Sequence, residues 1–153
     1  MTENRVYVDG VFDLFHAGHL EFLRQARAAG GPGATLLVGV ISDEAAGWKR
    51  PPVVPHRQRV EMLRQCRLAD GVVADPPLVL TAAFLDEHAI TLVVHGDDDK
   101  QEQFFRAAID RGIMRYVPYT RGGPYAVSTS QLIARIVVRH TMAGTEEDGA
   151  AAE

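Results

Sequence analysis

A single cysteine, Cys66, occurs in 153 residues, so the chain cannot close an internal disulfide and a reducing compartment is the expected setting. Cys66 stands among the apolar residues of a helical pattern, which reads as a buried, inert thiol rather than a nucleophile. No apolar run reaches membrane-spanning length, and the start lacks the basic-then-apolar segment of a secretory signal. A cytoplasmic protein with no membrane partner is expected. An excess of one charge is missing too, once the net charge of -4 is traced to its source. Glu146, Glu147, Asp148 and Glu153 lie in the last stretch; setting those four aside from 20 acidic residues leaves 16, equal to the 16 Lys and Arg. The near-neutral remainder gives no electrostatic case for a nucleic-acid partner. The final "MAGTEEDGAAAE" has almost nothing to bury, so residues 141–153 are expected to form a disordered acidic tail behind a single domain, 1–140.

What is present is an alternation. "RVYVD" (5–9) reads as a strand, and 19–29 as a helix stopped by Gly30-Gly31. "ATLLVGVI" (34–41) is a continuous β-branched run, as in a strand buried on both faces. A helix over 55–67 follows, with Val60, Leu63 and Arg67 on one side and Pro55 at its start. Then come a short strand at 71–74, a helix at 81–88, a strand at 91–96, a helix at 98–111 and a strand at 114–117. A last helix is predicted over 128–139, with Leu132, Ile133, Ile136 and Val137 on an apolar face. Strands alternating with helices predict a single doubly wound, Rossmann-like α/β domain, a parallel sheet flanked by helices. Ligands in such folds bind beyond the carboxyl ends of the strands. The unusual polar stretches, "GVFDLFHAGH", "SDEAAGWKRPP", "HGDDD" and "TRGGPYAVSTS", all follow strands and so fall on that edge.

His16 and His19 stand three apart at the first strand-to-helix junction. Zinc would need further ligands, and there is no cysteine pair to supply them, so no metal-ligand set is assigned. Two readings stay open: imidazoles that cap the turn, or imidazole N–H groups that join a helix N-terminus in recognising phosphate. Gly18 between them allows close backbone approach. Lys49, ahead of Pro51-Pro52, is either a solvated loop lysine or a clamp for a polyphosphate. Ser128 and Gln131 have capping-box spacing, and with Thr129 and Ser130 they place three hydroxyls at a helix start, behind the cation Arg121.

These segments carry a resemblance. "GVFDLFHAGH" is similar to the HxGH signature of the nucleotidyltransferase superfamily, and "VSTSQLIARI" to its second signature. "VGVISDE", "KRPPV", "RVEMLRQCRLADGVV" and "VVHGDDD" resemble, in order, segments of the cytidylyltransferases of phospholipid synthesis, the phosphoethanolamine enzymes most of all. The likeness runs from Tyr7 to Arg139. It implies that His16 and His19 contact the triphosphate and stabilise charge in the transition state, and that Lys49 reaches the phosphates. It places Gly10, Val11, Phe12, Asp13 and Gly18 around the nucleotide, Asp97 in the segment that reads the base, and Ser128, Thr129 and Ser130 at the helix start. Arg121 matches the family's arginine only if its loop bulges, because it lies seven residues before Ser128 rather than five; Gly122-Gly123-Pro124 permit that. Gln131 replaces a frequent aspartate.

The resemblance implies attack by an acceptor oxygen on the α-phosphorus of CTP, with Mg²⁺ and loss of pyrophosphate, in a homodimer. Positioning and charge neutralisation dominate such chemistry. Phosphoethanolamine is the expected acceptor, with 2-aminoethylphosphonate or 2-hydroxyethylphosphonate as alternatives. Phosphocholine wants aromatic faces, and Pro77-Leu78-Val79 stands where the phosphocholine enzymes carry Pro-Trp-Thr. The rival classes are a nucleotide-sensing module without turnover and the same fold acting on another nucleotide.

Overall fold

The structure, a computed structural model, describes residues 3–47, 50–118 and 123–150. Five strands, β1 (Arg5–Gly10), β2 (Thr35–Val40), β3 (Gly71–Val73), β4 (Leu92–Gly96) and β5 (Met114–Val117), form one parallel sheet in the order β3-β2-β1-β4-β5. Tyr7 of β1 pairs with Leu37 on one side and Val93 on the other. The strand order reverses at β1, so the crevice outside the carboxyl ends of β1 and β4 is the topological switch point, where such sheets take ligands.

The alternation along β1 assigns two cores. Val6 and Val8 are fully buried with Phe22, Leu23 and Ala26 of α1 (Ala17–Ala29) and with Val60 and Leu63 of α3 (His56–Arg64). Tyr7 points the other way, into Leu80, Phe84 and Leu85 at α4 (Ala82–Glu87) and Ala108 of α5 (Arg106–Asp110). Burying a Leu, Val or Phe side chain contributes about 1.5–3 kcal/mol, so these two layers supply most of the drive to fold. Cys66 is half-buried against the first of them.

Three sequence expectations are corrected and one element is added. The one-turn α2 (Asp43–Ala46) was not foreseen; Ser42 caps it through Ala45 N. The helix expected over 98–111 is a 3-10 turn at Glu102–Phe104 followed by α5, because Gln101 takes a left-handed φ of 45° and Leu80 N bonds Phe104 O. On α3 the buried positive residue is Arg59, while Arg67 lies exposed beyond the helix end. Finally, α6 (Thr129–Ala150) continues through the stretch expected to be a disordered tail, and its apolar face is not covered: Ile136, Val137 and Val138 are each more than half exposed. Ala, Glu and Met in that stretch are good helix formers, so local propensity continues the helix where packing does not. Among the described residues no helix is long and apolar enough to cross a membrane.

Candidate active site

The junction after β1 is strained. Phe12 and Leu14 have φ of 53° and 49°, a region that non-glycine residues seldom occupy and that clusters at functional sites. The kinks drive the Phe12 ring inward, edge-on to His19 at 5.5 Å, and turn the chain into α1. His16 is the N-cap: its Nδ1 accepts from Gly18 N at 3.1 Å and His19 N at 3.4 Å. The His16 backbone N–H donates in turn to His19 Nδ1 at 3.2 Å. Capping thus uses the Nδ1 atoms and leaves each Nε2 outside the cap. Each Nδ1 is occupied as an acceptor, so each neutral ring carries its proton on Nε2. Both rings are held neutral: desolvation lowers the His16 pKa, and desolvation followed by the neighbouring His16 charge pushes His19 down to about 3. The two histidines therefore offer hydrogen bonds rather than positive charge.

The second signature meets the first here. His16 Nε2 lies 3.3 Å from Thr129 Oγ1, which donates to Asp13 O at 3.3 Å, so the hydroxyl accepts from the imidazole and passes its own proton to the carbonyl. Gly18 is needed for this approach. A Cβ there would meet Val127 O at 2.5 Å, so the close neighbour in the protein is the chain leading into α6. Ser128 and Gln131 form the predicted reciprocal cap, Oγ accepting from Gln131 N at 3.2 Å and Gln131 Oε1 from Ser128 N at 3.0 Å. The Ser128 hydroxyl is thus committed to the helix. Ser130 accepts from Arg50 Nη1 at 3.3 Å.

A cavity of about 310 Å³ opens at the switch point, lined by Asp9, Gly10, Val11, Phe12 and Asp13 after β1, by His19, Arg50 and Thr129, and by His95, Asp98, Asp99 and Phe105 from the β4 side. Of the expected nucleotide residues, Asp13 turns its carboxylate to the backbone: Val53 N, Val54 N and Leu14 N all donate to it, at 2.8, 2.9 and 3.1 Å. Asp97 is not at the cavity, where Asp98 and Asp99 stand instead; its N–H donates to Val117 O. Lys49 and Arg121 lie outside the described residues. Arg50 is the cation found at the cavity, and sequence reading passed over it in favour of its neighbour.

Asp9 was also missed, although the pattern held the signal. It is two residues beyond the buried Tyr7, on the same face of β1, at the carboxyl end beside the switch point. Tyr7 pairs with Val93, so His95 emerges next to Asp9 on that face. The Tyr7 hydroxyl donates weakly to Asp9 Oδ2 at 3.5 Å. Desolvation nonetheless pushes the Asp9 carboxyl up to about 7, against the smaller opposing effect of that hydrogen bond. A carboxyl in this state is poised to ionise for a cation.

A family model described as cytidylyltransferase-like matches residues 7–135, which span the sheet, both histidines and the start of α6. The chain belongs to the cytidylyltransferase-like family. Among curated relatives, a probable choline-phosphate cytidylyltransferase of Schizosaccharomyces pombe is 38% identical over 87% of this chain and 37% of its own length. The ethanolamine-phosphate cytidylyltransferase of Dictyostelium discoideum is 38% identical over 88% of this chain and 37% of its own, and that of Arabidopsis thaliana 44% over 61% and 23%. This cytidylyltransferase-like chain spans about a third of the first two relatives and less of the third. The crystal structure of the lipopolysaccharide core biosynthesis protein from Thermoplasma volcanium GSS1 shares the fold, with a TM-score of 0.62 and 22% identity over 78% of this chain and 98% of that one.

Proposed function

We propose that the protein transfers CMP from CTP to a small phosphate-bearing acceptor, phosphoethanolamine first, giving a CDP-linked product and pyrophosphate. The observation that carries this reading is that His19, Thr129 and Asp9 line one cavity at the end of β1, with His16 joined to Thr129. An acceptor phosphate oxygen attacks the α-phosphorus, the bond to the bridging oxygen breaks, and pyrophosphate leaves with that electron pair. His19 lines the cavity, where its Nε2–H can meet the phosphates, while the His16 Nε2–H reaches the Thr129 hydroxyl and would have to exchange that partner for a phosphate oxygen. Phosphate charge raises an imidazole pKa and draws the ring toward imidazolium as charge builds. Lys49 and Arg121 are proposed as further phosphate cations on the resemblance alone; Arg50 is proposed from its place at the cavity. No protein nucleophile is required.

Mg²⁺ is proposed to enter on the triphosphate. It keeps waters and phosphate oxygens and takes one or two carboxylates; Asp98 and Asp99 at the cavity could supply these, and no three-ligand cluster converges among the described residues. A homodimer is proposed as well, supported by the exposed apolar residues of α6, and a cytoplasmic setting by the single cysteine.

For the acceptor, Leu78 lines the cavity and offers no ring to a trimethylammonium. Phe105 is 2% exposed with His95 tilted against it at 4.8 Å, so its ring is largely spoken for. Asp9 instead suits an ammonium that donates hydrogen bonds. Pyrophosphate release across the four nucleoside triphosphates, each with phosphoethanolamine, the two phosphonates and phosphocholine, tests all of this. Release with no combination would leave a nucleotide-sensing module.

A further inference from the structure

Arg59 is the most deeply buried charged residue among those described, 1% exposed on α3. A guanidinium carries five N–H donors in a planar fork, and a buried one must find acceptors for them. Nε donates to Val54 O at 2.9 Å, Nη1 to Val11 O at 2.6 Å and to Ile41 O at 2.9 Å, and Nη2 to the Asp43 carboxylate at 2.6 Å. Val11 follows β1, Ile41 follows β2, Asp43 opens α2, and Val54 closes the segment before α3. Val11 and Ile41 line the cavity, as does Pro52, two residues before Val54. Arg59 does not. One side chain thus grips the cavity wall from behind, on three separate segments of backbone.

Stability alone does not call for an arginine here, since hydrophobic residues of similar volume commonly replace buried ion pairs at no loss. A hydrophobe cannot fix the directions of three carbonyls relative to one another. Resting on the reading that CTP fills this cavity, we propose that Arg59 is a positioning residue for the nucleotide. It sets the spacing of the loop after β1 against the segments after β2 and before α3, and it acts through Val11 and Ile41 without touching substrate.

The test is a split between Michaelis constants. Lysine keeps the charge, but one nitrogen cannot span acceptors arranged for a fork. Arg59→Lys should raise the KM for CTP about tenfold or more, as displaced positioning groups do, and leave the acceptor KM within about twofold. A merely structural role would reduce the amount of active protein, lowering apparent kcat with both KM values unchanged; that result overturns the inference. Should Arg59→Lys fail to fold, Asp43→Asn at the half-exposed end of the pair replaces it. A CTP KM raised by about threefold then supports the inference, in line with partial loss of one charged hydrogen bond, and an unchanged one sinks it. Calorimetry with CTP keeps the two readings apart. Wild-type protein that binds no CTP overturns the proposed function, whereas wild type and Arg59→Lys binding CTP equally tightly overturns the positioning role alone.

Discussion

The imidazole rings of His16 and His19 stack with centroids 3.7 Å apart and 19° between planes, each with its Nδ1 occupied by a backbone N–H of the turn that opens α1. Cap and Nε2 donor are therefore two ends of the same ring. Alanine removes both, so it cannot separate them. His16→Asn can, since asparagine is a good N-cap but lacks an Nε2 donor. We expect His16→Asn to keep a near-normal melting temperature while kcat falls about 10²–10³-fold, the usual loss on removing one such donor. His16→Ala should lose the same rate and about 1 kcal/mol of stability besides. Steady-state kinetics beside thermal melts decide it: an Asn variant with wild-type kcat makes His16 a cap and nothing more.

The buried His19 makes stability depend on pH in a definite direction. Its pKa is depressed from 6.5 to about 3 in the folded protein, so between those values the unfolded chain binds a proton that the native state does not. Stability present above pH 6.5 is lost as pH falls toward 3. Asp9 works in the opposite sense: raised from 3.8 to about 7, it is protonated in the native state while ionised in the unfolded one, which favours folding less as pH rises through that window. The two slopes oppose each other. His19→Gln removes one of them, so urea midpoints of the variant should decline with rising pH between about 4 and 7, where wild type stays flatter. Parallel profiles would mean that His19 titrates normally.

Gly18 sits in α1, where alanine has the higher helix propensity by about 1 kcal/mol. Yet a Cβ there meets Val127 O at 2.5 Å, a backbone atom that cannot step aside without moving the start of α6. Gly18→Ala should displace Thr129 from His16 and Asp13 and lower kcat by about 10²-fold, as ångström-scale misplacements do, with helix content retained by circular dichroism. An active Gly18→Ala enzyme would show that the contact between the two signatures is dispensable.

The sheet was legible because parallel strands buried on both faces write themselves as β-branched runs; "TLLVGV" could hardly be anything else. Histidines at a strand-to-helix junction were legible for a like reason: few other roles need them there. What escaped reading depended on partners distant in sequence. Arg59 occupies a position on α3 that an apolar residue would fill, and only the convergence of Val11, Ile41 and Val54 explains a charge there. Asp13 does line the cavity, but nothing local reveals that its carboxylate is held by Val53 N and Val54 N, forty residues on. The apolar stripe of α6 was visible, but periodicity cannot tell whether a stripe faces its own domain. In the structure Leu132 and Ile133 are half-buried, whereas Ile136 and Val137 are exposed.

Asp9 gives the acceptor reading its sharpest test. With its carboxyl near half-ionised at neutral pH, an ammonium bound beside it must draw out the proton, and below pH 7 that release works against binding. KM for phosphoethanolamine should therefore fall as pH rises from about 6 to 8, by up to about tenfold per pH unit on the acid side. An acceptor with a hydroxyl in place of the amine, 2-hydroxyethylphosphonate, has no charge to satisfy and should lack that component. 2-Aminoethylphosphonate should show it, so the pair of phosphonates separates Asp9 from the ionisation of the acceptor's own phosphoryl group. Asp9→Asn removes that titration: its KM for the amines should rise and keep only the pH dependence shared with the hydroxyl acceptor, and for the hydroxyl acceptor stay within about threefold of wild type, as for a lost hydrogen bond. Equal pH profiles for amine and hydroxyl acceptors would mean that the ammonium lies elsewhere. Phosphocholine turned over ahead of phosphoethanolamine would then move attention to Phe104, an aromatic residue already at the cavity on the β4 side.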